Sequence, residues 1–213
     1  MQLYKSYKPI VSIVLPTYNR GKLIERPIDS VLKQTFENWE LIIVDDGSDD
    51  DTYSLVNRYL MKNEKIRYLK QTNRKPPLAF NTGIQASIGE YVTFIGSDDE
   101  YKSNHLETRL NYFKEDKSLD FVHGGLEVIG RPFVKDKNDL SREIAISDCV
   151  AGGTFFGKRE LFLSLGGFQD IKYSDDSDFY ERLLKTDYKI KKVDDPTYIY
   201  YRDTEDSICN TIT

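Results

Sequence analysis

Two acidic clusters, each at the end of an apolar strand-like run, constrain this chain more than any other feature. Leu41-Ile42-Ile43-Val44 runs into Asp45-Asp46-Gly47-Ser48, and Tyr91-Val92-Thr93-Phe94-Ile95 runs into Gly96-Ser97-Asp98-Asp99-Glu100. In an open α/β sheet, ligands settle in the crevice outside the carboxyl ends of the strands. Carboxylates gathered there without a cation repel one another unless a divalent ion or a ligand's hydrogen-bond donor sits among them. The two runs therefore predict neighbouring strand mouths with a pocket between them.

Around these runs, short β-rich stretches alternate with segments of helical period, which predicts βαβ units and a largely parallel sheet. A first strand is expected from Ile10 to Leu15, stopped by Pro16; Leu23, Ile24, Ile28, Val31 and Leu32 then fall at helix spacing, with Pro27 in an early turn or at a kink. After the second strand, Ser48 is expected to cap a helix whose first turn holds Asp49, Asp50 and Asp51. A third strand near Ile66 to Leu69 and a polar loop precede a helix near Leu78 to Ser87, with Gly89 as its C′ residue. The later half is less regular. A helix near Leu106 to Phe113 and a strand at Phe121-Val122 are followed by a polar stretch, 131–147, that reads as a long loop. Gly152-Gly153 turns into a strand, and a short helix near Leu161 closes at Gly166-Gly167. A third acid cluster, Ser174-Asp175-Asp176-Ser177-Asp178, opens a helix carrying Phe179, Leu183 and Leu184, and two strands close the fold.

A chain of 213 residues is read as one domain, with a ligand-binding half at about 8–100 and a second half at about 101–205. Thirty basic against 35 acidic residues leave a net charge of -5, so no general pull on nucleic acid is expected and an anionic ligand must be held locally. No apolar run reaches the roughly 18 residues of a membrane span, and the first residues lack a signal peptide's apolar core. Cys149 and Cys209 show no metal or redox spacing and read as free thiols in a reducing, cytoplasmic compartment.

Several strings occur in a recognisable order: Val11-Ser12-Ile13-Val14-Leu15-Pro16-Thr17-Tyr18-Asn19-Arg20, then Ser30-Val31-Leu32-Lys33-Gln34-Thr35, then Glu40 through Ser48. Asn81-Thr82-Gly83, Gly89-Glu90-Tyr91, Ser97-Asp98-Asp99, Gly166-Gly167-Phe168 and Asp175-Asp176 follow. Together they resemble the family 2 inverting nucleotide-sugar glycosyltransferases of the GT-A fold. The resemblance implies an α/β GT-A domain that moves a sugar from a UDP-sugar to an acceptor hydroxyl with the help of Mg²⁺ or Mn²⁺. It also implies a glycan or lipid-linked acceptor, which the residues themselves do not show. The implied place is the cytoplasm or the inner face of the membrane, with peripheral association.

By that resemblance Asp46 accepts a hydrogen bond from uracil N3-H, which suits a group that only accepts. Tyr18 would stack on the base, with Pro16 and Thr17 lining the cleft. Asp98 and Asp99 would divide ribose binding and metal coordination, and removal of either is expected to spare the fold. Gly96 stands where the family often has a first Asp. Asp176 matches the family's catalytic base, with Asp175 and Asp178 as neighbours that raise its pKa. Phe80 replaces a family Arg, so Arg74 is the expected substitute for the diphosphate, with Lys75 and Arg202 as further candidates.

The remaining features have quieter readings. Lys189, Lys191 and Lys192 read as a wet strand face, with membrane-surface contact as the alternative. His105 and His123 read as structural or surface residues, and Tyr198, Tyr200 and Tyr201 as an acceptor groove. Two rival functions are open to these residues. A signalling receiver domain shares the acid pair after a strand but requires different spacing to later residues. A relative that binds a nucleotide sugar without transferring it is compatible with the missing Arg, whereas retention of Asp176 speaks for catalysis.

Overall fold

Seven strands form the central sheet of the computed structural model, which describes residues 8–203. The first three βα units are β1 (Val11–Thr17), α1 (Glu25–Leu32), β2 (Trp39–Asp45), α2 (Thr52–Leu60), β3 (Ile66–Lys70) and α3 (Pro76–Ala86). They lead to β4 (Tyr91–Phe94), a short β5 (Glu100–Tyr101) and α4 (His105–Glu115). The second half carries β6 (Phe121–His123), β7 (Leu126–Ile129), β8 (Phe133–Asp136), β9 (Asp139–Ala145) and β10 (Phe156–Lys158). It ends with α5 (Arg159–Ser164), α6 (Asp175–Leu183), β11 (Ile190–Lys192) and β12 (Tyr198–Tyr201).

The strand order is β11-β6-β10-β4-β1-β2-β3. β1 pairs in parallel with both β2 and β4, while β10 runs antiparallel between β4 and β6. Chain order therefore reverses at the β1/β4 gap, the switch point where an open sheet leaves a crevice. The continuous apolar character of β1 and β2 follows from burial on both faces: Ile13 and Leu15 join Leu41 and Ile43 in the core on one side, and Val14 joins Ile42 and Val44 on the other.

Pro16 does not stop β1; it stands opposite Val44 inside the ladder. Ile10 and Val14 carbonyls accept from Tyr91 and Ile95, so even-numbered residues of β1 face β4. β4 ends at Phe94, and the N-H that proline lacks would point where no partner strand remains. Pro27 occupies the third position of α1, where N-H groups have no helical partner, and no kink is needed.

Other expectations change in detail. The helix α2 starts at Thr52, after Asp49, Asp50 and Asp51, and Ser48 makes no helix cap. Ser48 Oγ instead accepts the Asn19 N-H at 2.9 Å, and Asp50 accepts the Gly21 N-H at 3.0 Å, tying the acidic string to the loop after β1. Gly89 is no helix C′ residue: it follows an extended Ser87 and donates its N-H to Ser12 Oγ, where a Cβ would lie 2.7 Å from the Ser12 nitrogen. The 131–147 stretch is not a loop, because β8 and β9 pair as an antiparallel hairpin. Leu184 lies 56% exposed, off the buried stripe of α6. A second, three-stranded sheet of β5, β12 and β7 lies beside the acid end of β4. Cys149 is a free thiol, and Cys209 lies outside the described residues.

Candidate active site

A cleft of about 1210 Å³ opens at the β1/β4 switch point, and Pro16, Tyr18, Asp46, Asp98, Asp99 and Asp176 all line it. They arrive on four pieces of the fold. Pro16 lies near the end of β1 and Tyr18 follows that strand, 47% exposed and able to offer its ring to a planar ligand. Asp46 lies one residue beyond β2. Asp98 and Asp99 form the turn after β4, and Asp176 is the second residue of α6.

The first acid pair divides its work. Asp45 is fully buried, takes the Ser48 N-H at 2.7 Å and is hydrogen-bonded by the Tyr68 hydroxyl, which makes it a strut of the sheet end. Asp46 turns to the cleft. Its Oδ1 accepts Gln71 Nε2 at 2.7 Å and the Arg74 N-H at 2.8 Å, and its Oδ2 accepts the Lys75 N-H at 2.8 Å. A carboxylate offers about four acceptor sites, so three donors leave one site on Oδ2. Lys75 sits at φ 72°, ψ 160°, a region of backbone that side-chain-bearing residues avoid at a cost of about 1–3 kcal/mol. The Asp46 carboxylate holds it there. Arg74 is exposed and does not line the cleft, whereas its neighbour Lys75 does.

The second pair also splits. Asp98 is partly exposed at the cleft, and its carbonyl accepts Arg26 Nη1 at 2.9 Å. Asp99 is buried: the Tyr198 hydroxyl donates to Oδ2 and the Tyr201 N-H to Oδ1 at 3.0 Å. Burial first, and the Asp98 charge second, push Asp99 up to about 7. A Cβ at Gly96 would collide with the Asp99 carboxylate folded back beneath it, so an Asp at 96 and this Asp99 geometry exclude each other. The expectation that either acid is dispensable to the fold is thus corrected for Asp99, whose loss would strand a buried phenol and a backbone N-H.

Among the described residues no group of three or more His, Cys, Asp or Glu side chains is arranged to hold a metal alone. That is compatible with Mg²⁺ or Mn²⁺, because Mg²⁺ sites commonly use one or two carboxylates, with substrate phosphates and water completing the shell. Asp98 is the half-exposed carboxylate at the cleft, whereas Asp99 is buried with one protein donor on each oxygen.

Asp176 enters the cleft from α6. Its Oδ2 accepts the Gly152 N-H at 3.0 Å and its Oδ1 the Ser177 N-H at 2.8 Å, leaving an acceptor site on each oxygen. Desolvation raises its pKa, opposed by these two N-H bonds and the nearby Lys137 charge. Burial and the Asp176 charge push Asp175 up to about 7. Asp178 is drawn off by Arg182, whose Nε donates to it at 2.8 Å.

The β8–β9 hairpin supplies the rim nearest Asp176. Val134, Lys135, Lys137 and Ile144 line the cleft; the Tyr173 hydroxyl donates to the Lys135 carbonyl at 2.9 Å, and Lys137 pairs with Glu181 of α6. Sequence reasoning missed this rim. Arg202, a sequence candidate for the diphosphate, is buried and donates to the Phe133 carbonyl at 3.3 Å, so it anchors the hairpin. Tyr198 and Tyr200 line the cleft, while the Tyr201 hydroxyl donates to Glu100 at 3.1 Å and its ring lies beneath Arg26. Both histidines are buried: His105 stacks on Tyr101 with ring centroids 3.9 Å apart, and His123 packs on Tyr180 at 4.6 Å.

An open parallel sheet with acids at its switch point, extended by an antiparallel strand toward a second acid-bearing helix, is the GT-A architecture of nucleotide-sugar glycosyltransferases. It superposes on Staphylococcus aureus TarS in complex with UDP-GlcNAc with a TM-score of 0.78 at 22% identity, over 95% of this chain and 61% of that one. The mannosyltransferase PcManGT of Pyrobaculum calidifontis, in complex with GDP-Man and Mn²⁺, gives 0.72 at 26% identity over 91% and 57%. The family model described as Glycosyl transferase family 2 matches residues 12–162, and the chain belongs to that family. Glycosyltransferase GlyG of Streptococcus pneumoniae is 31% identical over 91% of this chain and 71% of its own length. An uncharacterised glycosyltransferase of Rickettsia typhi is 31% identical over 84% of this chain and 60% of its own, so the chain spans less than two thirds of that relative. The putative teichuronic acid biosynthesis glycosyltransferase TuaG of Bacillus subtilis is 34% identical over 69% and 61%. No described helix is long and apolar enough to cross a membrane.

Proposed function

We propose that this protein transfers a sugar from a UDP-sugar to an acceptor hydroxyl with inversion at the anomeric carbon. The observation that carries the reading is the convergence of Asp46, Asp98 and Asp176, from three separate elements, on one cleft. Uracil enters beside Tyr18, and its N3-H takes the last acceptor site on Asp46 Oδ2. A cytosine presents an acceptor at that point and meets a carboxylate that cannot donate. Asp98 would hold Mg²⁺ or Mn²⁺, which when bound would neutralise charge on the diphosphate. Lys75 contributes a positive charge from the loop before α3 in the role expected of Arg74.

The acceptor hydroxyl approaches between the hairpin rim and Asp176. As its oxygen bonds to the anomeric carbon, its proton passes to an Asp176 oxygen, and the carbon-oxygen bond to UDP breaks on the opposite face with the electron pair going to the diphosphate. Burial raises Asp176 above the ordinary carboxylate range, which makes its carboxylate a stronger base. The acceptor is a glycan or lipid-linked sugar of the kind built into surface polysaccharides, a reading supported by the teichuronic acid relative. Calorimetry with UDP, CDP and UDP-sugars, with and without Mn²⁺, tests it. Selective, Mn²⁺-enhanced UDP binding is expected, and equal binding of UDP and CDP would overturn the uracil assignment.

A further inference from the structure

The donor-side acids and the base-side loop meet through one phenol. Tyr198 is 3% exposed; its hydroxyl donates to Asp99 Oδ2 and accepts the Gly96 N-H at 3.1 Å, so it closes both ends of the 96–99 turn. Gly153 lies against its other side. A Cβ there would fall inside the phenol, 2.6 Å from Cε2, so glycine is what lets the ring sit where it does. The adjoining Gly152 donates to Asp176 and leaves only 3.1 Å between a built Cβ and the Asp176 Cβ. The ring has little freedom to move away, because it packs edge-on against Tyr101, which itself stacks on His105.

We propose that Tyr198 is a positioning residue that fixes the 96–99 turn and the 152–153 turn against each other. The acids that meet the donor and the carboxylate that activates the acceptor then keep one mutual geometry. The functional half of this inference rests on the glycosyl-transfer reading above. In an inverting displacement, nucleophile and leaving group must lie on opposite sides of one carbon, and a misplacement of about 1 Å costs about 10²-fold in rate.

Hydrogen exchange of the unliganded protein tests the coupling without reference to activity. Tyr198→Phe keeps the ring and removes the hydroxyl. Amides at 96–99 and at 152–154 should both exchange about tenfold faster, the scale of losing one to two hydrogen bonds from a local unit. Tyr112→Phe, which removes a phenol-carboxylate bond to Asp195 elsewhere, should accelerate neither. Unchanged exchange at either turn overturns the proposal, whatever the protein's activity. A second variant addresses function: Gly153→Ala, in the base-side loop, should weaken Mn²⁺-dependent UDP binding about tenfold by displacing the phenol, a free-energy scale of one lost hydrogen bond. Undiminished binding overturns the proposal. Failure of the unmutated protein to bind UDP would instead sink the transfer reading, with the exchange data still deciding the coupling.

Discussion

Asn81 and Phe168 hold one another through a closed pair of hydrogen bonds: Asn81 Nδ2 donates to the Phe168 carbonyl at 2.7 Å, and the Phe168 N-H donates back to Asn81 Oδ1 at 2.8 Å. The partners are 87 residues apart in sequence. Gly167, at φ 68°, brings the chain so close that any Cβ there would strike the Asn81 amide. Two of the strings that carried the family resemblance are therefore one structural joint, fastening α3 to the segment before α6.

Asn81→Ala should accordingly destabilise the protein by about 2–3 kcal/mol, the loss of two net hydrogen bonds plus partly buried backbone groups left without partners. Urea unfolding measures it. A change under about 0.5 kcal/mol would mean that water replaces the amide without loss.

Asp46 lines the cleft and holds the 71–75 loop, so under the proposed reading its removal should have two signatures. Asp46→Ala should weaken UDP binding by about 1–3 kcal/mol, the range for a hydrogen bond to a charged group. It should also release the 71–75 loop, because the Gln71 amide and the Arg74 and Lys75 N-H groups lose their acceptor and the Lys75 backbone loses what holds its positive φ. Calorimetry reads the first effect and limited proteolysis of the loop the second. A loop as resistant as in the unmutated protein would refute the holding role.

The two acids after β4 should separate cleanly. Asp98→Ala is expected to abolish the Mn²⁺-dependent part of UDP binding with a stability change within about 0.5 kcal/mol, as for a partly exposed side chain. Asp99→Ala should cost about 2–4 kcal/mol, since it leaves the buried Tyr198 hydroxyl and the Tyr201 N-H without an acceptor. Denaturation and metal titration of both variants decide between them; equal stability loss for the pair would contradict the division of labour.

Acid pKa values on α6 give a pH dependence of definite sign. The Asp175 carboxyl stands near 7 in the folded protein against an ordinary 3.8, so the native state retains a proton that the unfolded chain gives up. Its contribution to stability is complete below the ordinary value and is lost as pH rises toward about 7, with a slope of at most about 1.4 kcal/mol per pH unit. Asp175→Asn should flatten the stability profile over that interval. Denaturation midpoints at several pH values check this, and an identical profile would show that Asp175 titrates normally.

The parts of the site that were legible in the sequence are those where one local signal has one physical cause. Leu41 to Val44 is apolar throughout because β2 is buried on both faces, and the acids that follow it had to lie at the strand mouth. Misreadings arose where tertiary contacts override local rules. Pro16 reads as a strand stop, yet its missing N-H falls beyond the end of β4. Ser48 reads as a cap, yet Asn19 claims its hydroxyl. The β8–β9 hairpin was invisible because none of its strand residues is buried, which removes the apolar alternation that marks a half-buried strand. The Tyr198–Asp99 bond, spanning 99 residues, leaves no local trace at all.

Asp176 provides the test that separates a transferase from a protein that only binds nucleotide sugars. Its carboxylate is held by the Gly152 and Ser177 N-H groups and comes from α6 rather than from the strand ends that carry Asp46 and Asp98, so donor binding and proton abstraction should be separable by mutation. Asp176→Asn keeps the size and shape of the side chain but has negligible basicity. UDP-sugar affinity should persist while transfer falls by at least about 10²-fold, the low end of general-base contributions. In the unmutated protein the rate should rise with pH as the raised Asp176 pKa is passed, since only the carboxylate accepts the hydroxyl proton. Paired calorimetry and turnover measurements on the two proteins make the comparison. Undiminished transfer by Asp176→Asn would move the base to Asp175, the other carboxyl of raised pKa on α6. Tight UDP-sugar binding by the unmutated protein with no transfer to any acceptor would favour the binding-only reading.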